Sequence, residues 1–224
     1  MRIVSAPDLL SPLWTDRPAI PSTPIITLGE DLTGESRESK IHWLRLWMMR
    51  QEVDAVFLTA LDEIAWLLNV RGSDVDYNPV VISYLLVTME RVYWFVRKEE
   101  FGEPDEETQA SFDELLADEI TLCDYSEAAL ALSTYVDGDV DRIFVDPSTL
   151  NIHIRECMDE CGYEVVEGTS PVPLRKSVKN RVEIEGMREA HLEDGLAVEQ
   201  FLYWLEGQVG RVDEWEAACK LQSF

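Results

Sequence analysis

Histidine, the side chain best suited to proton transfer and metal binding near neutral pH, occurs three times in these 224 residues, at His42, His153 and His191. His191 stands beside two acidic residues, Glu193 and Asp194. On a helix His191 and Asp194 would share a face, but together they supply at most two ligands, fewer than a closed metal site needs. Their expected role is structural. His42 and His153 have no Cys or His at ligand spacing and are expected to be surface or internally satisfied histidines. Cys157 and Cys161 are four residues apart and resemble half a thiolate site, while Cys123 and Cys219 are too scattered to complete it. Four thiols so spaced do not form a disulfide framework and are expected to be buried and free. There is no nucleophile elbow, no Walker loop and no H-E-x-x-H, and Gly72-Ser73 lacks the context of a serine hydrolase. No catalytic residue and no metal ligand is assigned.

The residues that remain are Arg71 and Asp74. A guanidinium is a rigid fork of donors that can hold a carbonyl or carboxylate, and Asp74 would position it. The alternative is a loop salt bridge fixing the turn beside Gly72. Tyr77, Asn78 and Tyr84 are read as packing or loop-capping residues. Trp43, Trp47 and Trp66 are read as core aromatics, since stacking on a nucleotide would need basic neighbours.

The elements that must position these residues follow from periodicity. Pro7, Pro12, Pro18, Pro21 and Pro24 interrupt residues 1–34, which read as a connecting segment. Apolar spacing predicts a helix over 35–51, with Ile41, Leu44, Leu46, Met48 and Met49 on one broad face. A short strand is expected over 53–58, then a helix over 62–68 opened by a capping box at Thr59 and Asp62. Residues 69–78 read as a polar loop. Strands at 80–88 and 91–97 are close enough to form a hairpin. The acidic run at 99–107 reads as a solvated loop.

Further helix and strand signals alternate at 111–118, 119–122, 124–138, 142–145, 147–162 and 163–166. Asp124 and Glu127 form a capping pattern with Gly138 as the stop, and Asp146-Pro147 reads as a helix start. The alternation implies an α/β fold with a mixed β-sheet flanked by helices, occupying residues 35–170. Beyond Pro173 the pattern is helical only, with a long amphipathic helix from about Val182 to Glu206 and another starting near Asp213.

The net charge of −25 disfavours contact with nucleic acid or an anionic membrane. No apolar run is long enough to span a membrane, and no secretory signal pattern is present. The expected location is the cytoplasm, with no nucleic acid and no membrane partner.

Five stretches carry a resemblance, in order along the chain: WTDRP (14–18), TLG-x-D-x-TG (27–34), TALDEIAWLLN-x-RGSD (59–74), NPV-x-x-SY (78–84) and KSVKN-x-x-E-x-EGMR-x-AH-x-x-D (176–194). They are similar to the Xaa-Pro aminopeptidases (aminopeptidase P) of the creatinase/prolidase superfamily. The resemblance implies that 1–34 is a linker from a first domain, 35–170 the middle α/β domain, and 171–224 the opening helices of the catalytic pita-bread domain. It also implies an enzyme that removes the residue preceding proline at a peptide's N-terminus. Such enzymes hold two metal ions, typically manganese, through two Asp, one His and two Glu, and are commonly dimers. None of those ligands maps onto this chain, because the family order places them after the helix that contains His191. The loop around Arg71 corresponds to one near the mouth of a catalytic cleft, often the dimer partner's.

Two functions are therefore expected to compete. One is a structural, dimer-supporting segment of a metallo-aminopeptidase, inert alone. The other is a non-catalytic interaction or regulatory module that associates with an intact relative. A reading frame running past Phe224 into the metal ligands favours the first, and a stop codon there the second. The second anticipates self-association through the apolar face of residues 182–205.

Overall fold

The computed structural model describes residues 10, 12–97, 106–134 and 140–224. The chain enters through a two-residue strand β1 (Ile26–Thr27) and a single turn α1 (Glu30–Thr33). Next come α2 (Arg37–Gln51), β2 (Ala55–Leu58), α3 (Leu61–Leu68), β3 (Val70–Arg71) and the hairpin β4 (Ser83–Thr88) and β5 (Val92–Val96). Then α4 (Glu106–Ala117), β6 (Ile120–Asp124), α5 (Ala128–Thr134), β7 (Arg142–Val145), α6 (Ile152–Cys161) and β8 (Glu164–Glu167) alternate. Three helices follow: α7 (Val172–Ser177), α8 (Arg181–Glu206) and α9 (Glu214–Gln222).

Six strands form one mixed sheet in the order β6-β5-β4-β2-β7-β8. The hairpin joins antiparallel at β4·β5 and β2·β4, while β5·β6, β2·β7 and β7·β8 are parallel. Because strand side chains alternate between faces, the central strands feed two cores. Val56, Leu58, Leu85, Val87, Val92, Trp94 and Val96 face one core with α2, α3 and α4. Ala55, Phe57, Leu86, Tyr93 and Phe95 face the other with α5 and α6. Burial on both faces explains why these strands are continuous apolar runs rather than alternating ones.

Several local expectations are corrected. On α2 the buried stripe is Ile41, Leu44 and Met48, while Leu46 and Met49 face outward, as a narrow 3.6-residue stripe requires. Thr59 does not cap α3, which starts one residue later than its hydroxyl could serve. The N-cap is Ala60, without a side-chain bond, and Thr59 Oγ1 donates instead to Thr149 Oγ1 at 2.9 Å. Asp146-Pro147 does not open α6. Asp146 closes a turn with Ser148, and Asn151 caps α6 by accepting from the Ile154 amide. The 69–78 loop contains β3, which pairs antiparallel with β1 in the proline-rich segment. The capping box of Asp124 and Glu127 opens a short 3-10 turn leading into α5, whereas Gly138 lies outside the described residues. Most of the acidic run at 99–107 also lies outside them, and Glu106 and Glu107 begin α4.

The cysteines are free, and only Cys123 is buried, since Cys157 is half-buried and Cys161 and Cys219 are exposed. Among the described residues no helix is long and apolar enough to cross a membrane.

Candidate functional site

Arg71 leaves β3 just past the C-terminus of α3. Its Nη1 donates to the carbonyl of Ala65 at 3.1 Å, an acceptor shared with the Asn69 amide that closes α3, and to the Val70 carbonyl at 2.8 Å. Burial lowers the affinity of this guanidinium for its proton, and the field of Glu183 opposes that effect. Asp74 does not touch Arg71. Its carboxylate accepts from the Thr23 amide and hydroxyl, both at 2.7 Å, and from the Ile82 amide at 2.8 Å. Asp74 thus clamps the incoming segment and the start of β4 onto one loop. Between the clamps Tyr77 stands at the loop tip, 91% exposed, with φ +60°. Asn78 closes the tip by donating its amide to the Val75 carbonyl, and Tyr84 lies in the sheet, stacked on Tyr125.

His191 is exposed on α8 and its Nδ1 lies 2.7 Å from the Met187 carbonyl one turn back. With that nitrogen engaged, and with only Asp194 at helical spacing, these donors do not fit a dinuclear centre. Among the described residues, no group of three or more His, Cys, Asp or Glu side chains is placed to hold a metal ion. His42 and His153 are exposed.

One cavity was not singled out by residue pattern. About 720 Å³ in volume, it lies between α2, α3, α7 and the first turn of α8 and is lined by Trp43, Trp47, Trp66, Glu35, Arg175 and Glu183. Trp66 is a core residue at 8% exposure, but Trp43 and Trp47 are half-buried wall residues. Trp47 is held edge-on against Phe144 of β7, with centroids 4.8 Å apart. Arg175 stacks on Trp43 at 4.6 Å and donates Nη2 to Glu35 at 2.5 Å. Glu183 accepts from Trp66 Nε1 and from the Asn180 amide. The cation that stacks on Trp43 arrives from α7, far along the chain.

Behind Trp66 sits Lys40, 1% exposed, its Nζ 4.3 Å from the indole centroid. It donates to the Trp66 carbonyl at 3.0 Å and Asn69 Oδ1 at 2.6 Å, and meets no carboxylate directly. Burial brings its pKa down to about 8. The only sign of this arrangement in the sequence was a lysine one residue before an expected core position.

α3 is joined to α7 by two carboxylates. Glu63 accepts from the buried Ser170 hydroxyl at 2.5 Å, and Asp62 pairs with Lys176. Desolvation raises the Glu63 carboxyl above its usual range.

Residues 16–183 match the family model for the creatinase/prolidase N-terminal domain. A probable Xaa-Pro aminopeptidase P of Laccaria bicolor is 31% identical over 97% of this chain and 33% of its own length. The Caenorhabditis elegans Xaa-Pro aminopeptidase app-1 is 34% identical over 97% of this chain and 35% of its own. A crystal structure of X-prolyl aminopeptidase from Caenorhabditis elegans, described as a cytosolic enzyme with a di-nuclear active site, superposes with a TM-score of 0.82 at 32% identity, covering 97% of this chain and 35% of that one. The chain thus spans about a third of the length of the curated relatives it matches. With a mixed sheet between helical layers and a family match over three quarters of its length, this chain belongs to the creatinase/prolidase N-terminal domain family.

Proposed function

We propose that these residues are the scaffold portion of a metal-dependent Xaa-Pro aminopeptidase, an enzyme that removes the residue preceding proline from a peptide's N-terminus. The observation that carries this reading is the likeness to X-prolyl aminopeptidase along 97% of the chain at a TM-score of 0.82. In this reading residues 1–34 link to a preceding domain, 35–170 form the middle domain and 171–224 open the catalytic domain. The two metal ions, manganese in this proposal, are held by ligands outside these residues. The donors around His191 do not fit them, so no catalytic step is assigned to this chain. Arg71 and Asp74 shape a loop beside a catalytic cleft: Arg71 bonds back to the last turn of α3, Asp74 sets the loop's path, and Tyr77 is its exposed tip. The protein acts in the cytoplasm, without nucleic acid or membrane partners.

The expected outcome is that the purified 224-residue chain, supplied with manganese, releases no N-terminal residue from an X-Pro peptide. Release that a chelator abolishes, or two tightly held manganese ions per chain, overturns the scaffold reading.

A second reading, a non-catalytic module that associates with an intact relative, is favoured by one feature. α8 has no buried residue, and Met187, Leu192, Leu196, Leu202 and Tyr203 are exposed along it.

A further inference from the structure

We propose that the indole-lined cavity between α2, α3, α7 and α8 binds a small planar aromatic carboxylate, independently of any peptidase reaction. At about 720 Å³ it falls within the range of small-molecule sites, which are typically apolar pockets with a few convergent polar groups. Its walls are indoles from two helices, and aromatic faces favour a flat ring at offset or edge-on contact. The indole N–H groups of Trp43 and Trp47 make no hydrogen bond among the described residues, and Arg175 uses only Nη2, on Glu35. The Nε and Nη1 donors of Arg175 are therefore available to a carboxylate, a geometry the guanidinium fork suits.

Charge favours the same class of ligand. Arg71 and Arg175, together with Glu35 and Glu183, all act electrostatically on Lys40. Three cations thus meet two carboxylates here, in a chain whose overall charge is −25. Lys40 and Arg71 are bonded only to neutral oxygens, so their charge is not neutralised by contact. Glu183 has both oxygens engaged, and Glu35 is tied to Ser39 and Arg175. Lys40 stands behind Trp66 with no carboxylate in contact, and the stacked Arg175 adds a directed positive group at the wall.

The test is calorimetric titration of the 224-residue chain with indole-3-acetate, its neutral amide indole-3-acetamide, and the cationic amine tryptamine. Indole-3-acetate is expected to bind at least about tenfold more tightly than the amide, with tryptamine weakest. Arg175→Gln should remove that preference while leaving the amide's affinity unchanged, which also reports that the cavity is intact. Trp43→Ala should weaken both acetate and amide. The proposal is overturned if none of the three binds, if tryptamine binds best, or if Arg175→Gln leaves the preference for the acetate in place.

Discussion

Lys40 shows how one residue can carry a cost inside a well-packed domain. Its ammonium is removed from water and compensated by two neutral oxygens and an indole face rather than by a counter-ion. Its folded pKa of about 8 lies below the ordinary lysine value of 10.5, so between those values the folded chain binds fewer protons than the unfolded chain. Stability attributable to Lys40 therefore rises with pH through that window, because the burial penalty is full below pH 8 and gone above 10.5. At 1.36 kcal/mol per pH unit the interval corresponds to about 3 kcal/mol. Urea denaturation of wild type and Lys40→Met across that pH range should show the variant gaining relative stability at pH 7 and losing that advantage towards pH 10.5. A difference between the two that is independent of pH would refute the account. The same helix carries a contrasting case in Arg37. It is equally buried, but its fork reaches Glu114 at 2.8 Å, Asp118 at 2.7 Å and the Leu68 carbonyl at 3.0 Å, tying α2 to α3 and α4.

At the scale of elements, helix starts separate what sequence pattern suggests from what the fold uses. Thr59-x-x-Asp62 has the pattern of a cap, yet Thr59 bonds across to Thr149. Asn151 and Asn180 do cap their helices, and Asn180 also donates Nδ2 to the Thr33 carbonyl at 2.8 Å, fastening α8 to α1. That contact constrains Gly34, which has φ +69° and whose added Cβ would lie 2.4 Å from Asn180 Oδ1. Thermal or chemical denaturation should rank the alanine variants accordingly. Thr59→Ala should cost less than about 0.5 kcal/mol, as for a surface substitution, whereas Asn151→Ala should cost about 1 kcal/mol. Asn180→Ala should cost about 2 kcal/mol, since it loses the cap and the α1 tie together. A Thr59→Ala loss as large as that of Asn151→Ala would show that Thr59 acts as a cap in solution.

At the scale of the whole molecule, the sheet domain is covered on both faces while α8 and α9 are not. α8 meets α1 and α9, but most of its apolar side chains stay in solvent, as do Trp215 and Phe224 near the C-terminus. Burying one large apolar side chain is worth about 1.5–3 kcal/mol, and several exposed ones favour association. Sedimentation velocity over a range of concentrations should therefore show self-association of the 224-residue chain. Leu196→Glu with Leu202→Glu should reduce it without lowering the stability of the sheet domain. A single monomeric species at high concentration would count against both the exposed-face account and the interaction-module reading. The large negative charge opposes close approach of two copies, so association should strengthen as salt screens that repulsion.

Much of the fold was readable because its signals are local. Unbroken runs such as Val92–Val96, the capping box at Asp124 and the glycine after Cys161 each depend on neighbours within a few residues, and the motif series from Trp14 to Asp194 carried the family. The remainder required contacts between residues distant in sequence. β1 and β3 are two residues each and exist only because they find one another across more than 40 positions. Asp74 lies three residues from Arg71 and was its expected partner, yet its carboxylate is taken by Thr23 and Ile82. The tryptophans of α2 looked like core residues until α7 placed Arg175 beside them. Sequence by itself determined the order along the chain of the six strands of the main sheet, and the family, since these follow from short-range periodicity and contiguous motifs. Tertiary structure alone decided which charged groups meet, because a side chain's partner is set by how the layers pack and not by how near it lies along the chain.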